Sequence, residues 1–182
     1  MTSRSLSDAK DAPLTLVKGG FLIALFIYSL QFFTLDVNQQ VMYSFLHGSN
    51  LIFHEAGHVI FMPFGDFMTI LWGSLGQCII PLVVTLVFIF QEHAFYSAAF
   101  WLWWFGQNLT DVALYASDAS ARSLPLIGGM SEEAHDWGNL LTMMNLLAYD
   151  HTIAIVIHFI GMIVMAWAFI WATRTLVKEY LG

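Results

Sequence analysis

The chain has 182 residues, 58% of them hydrophobic and only 10% charged, with a mean hydropathy of +0.69 and a formal net charge of -7. That composition excludes a disordered chain, and the scattered Lys and Arg residues form no basic patch, which excludes a nucleic-acid partner. It predicts an all-α polytopic membrane protein with about five transmembrane helices and one amphipathic interfacial helix.

Residues 1–16 read as a polar cytoplasmic N-terminus carrying Arg4 and Lys10, and residues 17–182 as a single transmembrane domain without internal repeats. No small-residue cleavage site follows the first apolar run, so a retained span is expected there, not a removed signal peptide. Spans are expected at 17–35, 41–62, 67–90, 95–117 and 152–173, each near the roughly 20 residues that cross a bilayer. Lys18 opens the first with its ammonium reaching the interface, and a polar turn at 36–40 leads to the second.

The second span carries His54-Glu55-Ala56-Gly57-His58. On a helix His54 and His58 stand at i and i+4, so both imidazoles face one way and can take two corners of a tetrahedral zinc site. Glu55 lies beside the first ligand, where its carboxylate can take a proton from a metal-activated water without ligating the metal. Two His and a Glu in an apolar span are expensive unless paired or metallated, which favours function over chance. His47 shares this face two turns away, out of reach as a ligand. Pro63 and Gly65 end the helix.

In the third span Gly73, Ser74 and Gly76 offer a surface for close helix contact, and Cys78, the lone cysteine, is expected to pack among apolar residues. The fourth span opens with Trp101, Trp103 and Trp104, read as an aromatic belt. Along its later part Asn108, Asp111, Tyr115, Asp118 and Arg122 fall on one helical face; Asp118 and Arg122 could instead pair with each other at a solvated end. Pro125 and Gly128-Gly129 mark a loop. Ser131-Glu132-Glu133 reads as a helix start, and the helix expected over 132–147, with His135 and Asp136 in its first turn, is amphipathic enough to lie at the interface. His158 in the last span reads as a hydrogen-bonded core residue.

Arg4, Lys10 and Lys18 predict a cytoplasmic N-terminus. Five spans then put the His54-to-His58 stretch roughly 10 Å beneath the cytoplasmic surface, at 1.5 Å per residue. Arg174 and Lys178 would end outside, against that rule. A rival arrangement makes the second segment re-entrant, with four true spans, both termini inside and the site on the outer face. The length of 41–62 favours five.

An H-E-x-x-H on a membrane helix, then a small-residue span, then a span ending in Asn and Asp, resembles the intramembrane zinc metalloproteases of the site-2 protease family over about residues 41–119. The resemblance implies zinc as cofactor, a cytoplasmic-side site, and a third ligand from an Asp in a later span within an Asn, Pro, Asp-Gly pattern. Here Asn108 and Asp118-Ala119 come nearest, without the Pro, with a longer spacing and with Ala for Gly. Asp118 is therefore the first candidate, with His135 as a third or fourth ligand and Asp111 ranked after them. Asp136 is expected to orient an imidazole from the outer shell. Asn108 or Arg122 could hold the substrate or its developing oxyanion.

The expected function is an intramembrane zinc-dependent hydrolase, a site-2-protease-like metallopeptidase with Glu55 as general base. Two alternatives stand beside it: a zinc-dependent lipid amidase or hydrolase, and a non-catalytic metal-binding protein with a closed shell of His54, His58, Asp118 and His135. The expected partners are the lipid bilayer and a membrane-embedded peptide or lipid substrate, with a homo-oligomer left open.

Overall fold

The computed structural model describes residues 6–34, 37, 39–126 and 131–181; Arg4, Asp36 and Asn38 of the expected 36–40 turn and the Gly128-Gly129 pair fall outside them. The described residues are all-α, with six α-helices: α1 Leu6–Ser29, α2 Phe45–Phe61, α3 Asp66–Phe90, α4 Phe95–Ser117, α5 Asp136–Met143 and α6 Asp150–Leu181.

α4 is the central helix, packed against α3 on one side and α6 on the other. Two glycines let α4 and α6 touch backbone to backbone, since a Cβ on Gly161 would stand 2.7 Å from the Gly106 carbonyl oxygen. Trp103, 1% exposed, fills the space between α4, α1 and α6 and donates its indole N–H to Ser29 Oγ at 2.9 Å. Trp104 also turns inward, donating to Asn50 Oδ1 at 3.0 Å. Neither indole serves the aromatic belt expected from the sequence; the polar N–H found a partner inside the bundle.

α2 pairs with α3 as an antiparallel hairpin. The 3-10 turn Met62–Phe64 and Gly65, at φ 91°, make the corner, as Pro63 and Gly65 predict. Gly57 sits so close to α3 that a Cβ would fall 2.0 Å from the Trp72 carbonyl oxygen, and Phe61 stacks on Trp72 at 3.7 Å. The continuous helix expected over 41–62 is not found. Residues 39–43 form a separate 3-10 turn, Ser44 breaks it from α2, and the α-helix has 17 residues, about 26 Å at 1.5 Å per residue.

The helix expected over 132–147 also divides, into a 3-10 turn at Glu132–Ala134, the eight-residue α5 and a 3-10 turn at Leu147–Tyr149. Asn145, at φ 57°, stops α5 in the left-handed conformation that Asn tolerates, and the Leu146 N–H returns to the Leu141 carbonyl at 2.8 Å. Trp137 pins α5 to α3 through a 3.0 Å bond to Ser74 Oγ.

Two of the described helical stretches, Asp66–Phe90 and Leu147–Leu181, are long and apolar enough to cross a membrane by length and composition. Lys18 pairs with Glu179 at 2.5 Å, and Tyr96 donates to the Lys18 carbonyl at 2.6 Å. The middle of α1, the start of α4 and the end of α6 therefore lie together.

Candidate metal centre

The i, i+4 spacing does what it predicts: His54 and His58 lie side by side, ring centroids 4.7 Å apart. Each Nδ1 is held by an oxygen of α3. His54 Nδ1 faces Gln77 Oε1 at 3.0 Å, and His58 Nδ1 donates to the Thr69 carbonyl at 2.8 Å. Both Nε2 atoms then point to one place, where Asp136 Oδ2 lies 2.8 Å from His54 and 3.1 Å from His58.

The three donor atoms lie within 4.8 Å of one another. A tetrahedral ion with bonds of about 2.0–2.1 Å separates its ligand atoms by roughly 3.3 Å, near the two distances found here. The floor of the site is Gly73, where a Cβ would come within 2.7 Å of His54 Nε2 and 2.6 Å of His58 Nε2. Any other residue would fill the space that the two nitrogens share, so the donor set and the cradle fit a zinc ion. Burial acts to raise the Asp136 carboxyl, but the bonds from His54 and His58 outweigh it and hold the group down at about 2, keeping it an anion.

The group opens into a cavity of about 300 Å³, walled mainly by apolar side chains including Leu51, Ile70 and Leu126, and also lined by Glu55. Glu55 is exposed on the face of α2 that borders this space.

The remaining site candidates go elsewhere. Asp118, at the end of α4, accepts from Ser123 Oγ, from the Leu124 N–H at 2.9 Å and from His135 Nε2 at 3.2 Å. His135 accepts the Gly138 N–H on Nδ1 at 3.0 Å, capping α5. His135 Nε2 meets this one carboxylate and no second imidazole, so the pair is the latch of the segment that carries Asp136 and lies outside the group of three converging donor atoms. Burial pushes His135 below the usual imidazole range even beside the Asp118 carboxylate. Asp118 is held below the ordinary carboxylate value, its burial outweighed by the bonds from Ser123 and Leu124.

Arg122, at φ 50°, donates to the Glu132 carbonyl at 3.0 Å and to Asn139 Oδ1 at 3.1 Å, tying the same segment. Asn108 donates to the Trp104 carbonyl of its own helix at 2.9 Å. Asp111 is buried beside His47, Asn50 and Gln77, one residue removed from the donor group. His158 bonds the Thr34 carbonyl at 3.0 Å, the core role expected of it.

The sequence points to no role for Gln77 or Thr69, and marks Tyr115 only as a member of the polar face of the fourth span. Gln77 did carry a signal, as the one amide side chain in the apolar α3. Tyr115 accepts the Asp136 N–H on its hydroxyl at 3.0 Å and so fixes the backbone of the third donor.

Comparison with protein-family models, with curated proteins and with solved structures gives no match for this chain.

Proposed function

We propose that the protein is an intramembrane zinc-dependent hydrolase, a peptidase similar in its H-E-x-x-H chemistry to the site-2 protease family. The convergence of His54 Nε2, His58 Nε2 and Asp136 Oδ2 beside an apolar cavity that Glu55 also lines carries this reading. Three protein donors leave one position of a tetrahedral ion free, as a catalytic site requires. The closed shell of the non-catalytic alternative needs Asp118 and His135, whose polar atoms are spent on each other and on the loop backbone.

When bound, zinc supplies a Lewis acid that polarises the substrate carbonyl and acidifies water. The chain's own groups do the rest. Glu55 takes the proton of the attacking water and hands it to the leaving amine. Gln77 and Thr69 keep the imidazoles aimed, Tyr115 holds Asp136 in register, and the apolar walls exclude bulk water.

Membrane insertion is supported by how little of the two long apolar helices is covered: 33% of the apolar window of α3 and 28% of that in Leu147–Leu181 are buried. The core helix of a soluble protein would be mostly covered, whereas Val83, Phe90, Ile163 and Trp167 are each at least half exposed. We read α1, α3, α4 and α6 as the crossings, with α2 entering from the face where the site lies. The Lys18–Glu179 pair sets α1 beside the end of α6, which supports the four-span arrangement over five. The described ends of α1 and α6 then lie on one face, and among the described residues Arg122 is the one Lys or Arg at the site's end. The positive-inside rule makes the termini cytoplasmic and opens the site on the opposite face.

The test is a comparison of cell membranes containing wild type or Glu55→Gln, by mass spectrometry of new peptide N-termini. New termini within or beside apolar segments, present only with wild type, are expected. A Glu55-dependent release of a lipid head group or acyl chain instead would replace the peptidase reading with a lipid hydrolase. No Glu55-dependent product of either kind would remove the enzyme reading altogether.

A further inference from the structure

The donor group uses only part of the cavity's polar lining. His47, Leu51, His54 and His58 all border the cavity from α2, as residues on one helical face do. His47 stands seven residues before His54, roughly 10 Å along the axis at 1.5 Å per residue. Asp111, on α4, borders the same space and lies with Oδ1 2.7 Å from His47 Nδ1. Nothing in the proposed hydrolysis needs this pair.

A polar brace between α2 and α4 would account for part of it. Asp111 is 5% exposed, and its Oδ2 accepts from Asn50 Nδ2 at 3.0 Å and Gln77 Nε2 at 3.4 Å. Those two bonds already tie the carboxylate to α2 and α3. His47 adds an imidazole held by one nitrogen, with its side chain 21% exposed. Among the described residues nothing pairs with the other nitrogen, Nε2.

We propose that His47, positioned by Asp111, is a second anchor for the substrate and pairs with a main-chain peptide group three residues from the bond that is cut. This rests on the peptidase reading and narrows it. A peptide group offers both an N–H and a C=O, so it can pair with Nε2 whichever of the two gives the proton. An extended chain advances about 3.3 Å per residue, and three residues span the distance from the donor group to His47. A peptide group entering a mainly apolar cavity loses its bonds to water, and the loss stands unless a polar partner replaces them. His47 is that partner. A lipid acyl chain carries no polar group at this distance and would gain nothing from it.

The test uses the full-length protein in detergent, supplied with zinc, and hydroxamates, whose head group binds the metal. Two isomers of equal length carry one secondary amide, either about 10 Å or about 5 Å from the hydroxamate; a hydrocarbon chain is the control. Wild type is expected to bind the distant-amide isomer about tenfold more tightly than the near one, the worth of one good hydrogen bond. His47→Phe is expected to bind both isomers alike with the control's affinity unchanged. His47→Gln, whose amide also gives and takes, should keep part of the preference.

Equal affinities of the two isomers for wild type, or a full preference kept by His47→Phe, would overturn the anchor and leave the metal reading standing. The wild-type comparison decides by itself if His47→Phe does not fold. Should no hydroxamate bind, the control included, the metal reading falls and the anchor with it.

Discussion

Two His–Asp groupings meet at the start of α5, where Asp136 belongs to one and His135 to the other, and they are built to opposite ends. At the His54, His58 and Asp136 group each Nδ1 is engaged from behind and both Nε2 atoms meet one carboxylate oxygen, Asp136 Oδ2, beside a cavity. At the Asp118–His135 pair every ring nitrogen and both carboxylate oxygens are spent on the local chain, with the Gly138, Leu124 and Ser123 groups as partners. What separates a ligand set from a latch here is not residue type or burial but convergence: two imidazoles and a carboxylate meet at one point in the first, one imidazole and one carboxylate in the second.

The largest contrast lies in removing one member of each grouping. His54→Ala and His58→Ala are expected to abolish zinc binding, and Asp136→Asn to weaken it at least a hundredfold, whereas Asp118→Asn changes affinity by less than about tenfold, the lower bound for outer-shell groups. Equal losses from Asp136→Asn and Asp118→Asn, by chelator competition, would erase the distinction.

Gly73→Ala should come next. Its methyl would press on both imidazoles at under 3 Å, and displacing them is expected to cost about 1–3 kcal/mol in overpacking and most of the zinc affinity. A Gly73→Ala protein with wild-type affinity would mean that the cradle is not where the ion sits.

The proposed four-crossing arrangement would separate the latch from the end of α6 across the bilayer. In a Cys78→Ala background in intact cells, a membrane-impermeant maleimide is expected to label Ser131→Cys and to spare Lys178→Cys. Labelling at both, or the reverse, would break that topology.

The smallest effect concerns pH at the latch. Asp118 is held below its ordinary value near 3.8 in the folded chain, so its contribution is complete above that pH and lost as pH falls through the depressed value. Protection of the Leu124 amide from hydrogen exchange, corrected for intrinsic rates, should therefore hold down to about pH 4 and fall below it. Asp118→Asn should lose that protection already at neutral pH.

Some of this was legible in the sequence. Charged groups in an apolar segment are expensive, so His54, Glu55 and His58 stood out, and Pro63 with Gly65 marked the hairpin corner. The helix expected at 95–117 coincides with α4. The third donor was not legible. Helical spacing ranks residues on one face but says nothing about what a loop brings back, and Asp136 returns from beyond an 18-residue connection after Ser117. Family likeness pulled attention to Asp118 instead. Nor did hydropathy report that Ser44 interrupts the helix before α2, which removed the length argument for a fifth crossing. Gln77 was visible as an oddity in α3, but its partners lie on α2 and α4, and only the packing of all three helices gives it a role.

The measurement that bears most directly on the central claim is the zinc content of the purified protein, prepared without chelators and supplied with zinc, for wild type, Asp136→Asn and Asp118→Asn. About one zinc per chain in wild type and Asp118→Asn, with little or none in Asp136→Asn, is the predicted result. No zinc in wild type, or zinc kept by Asp136→Asn and lost by Asp118→Asn, would contradict it.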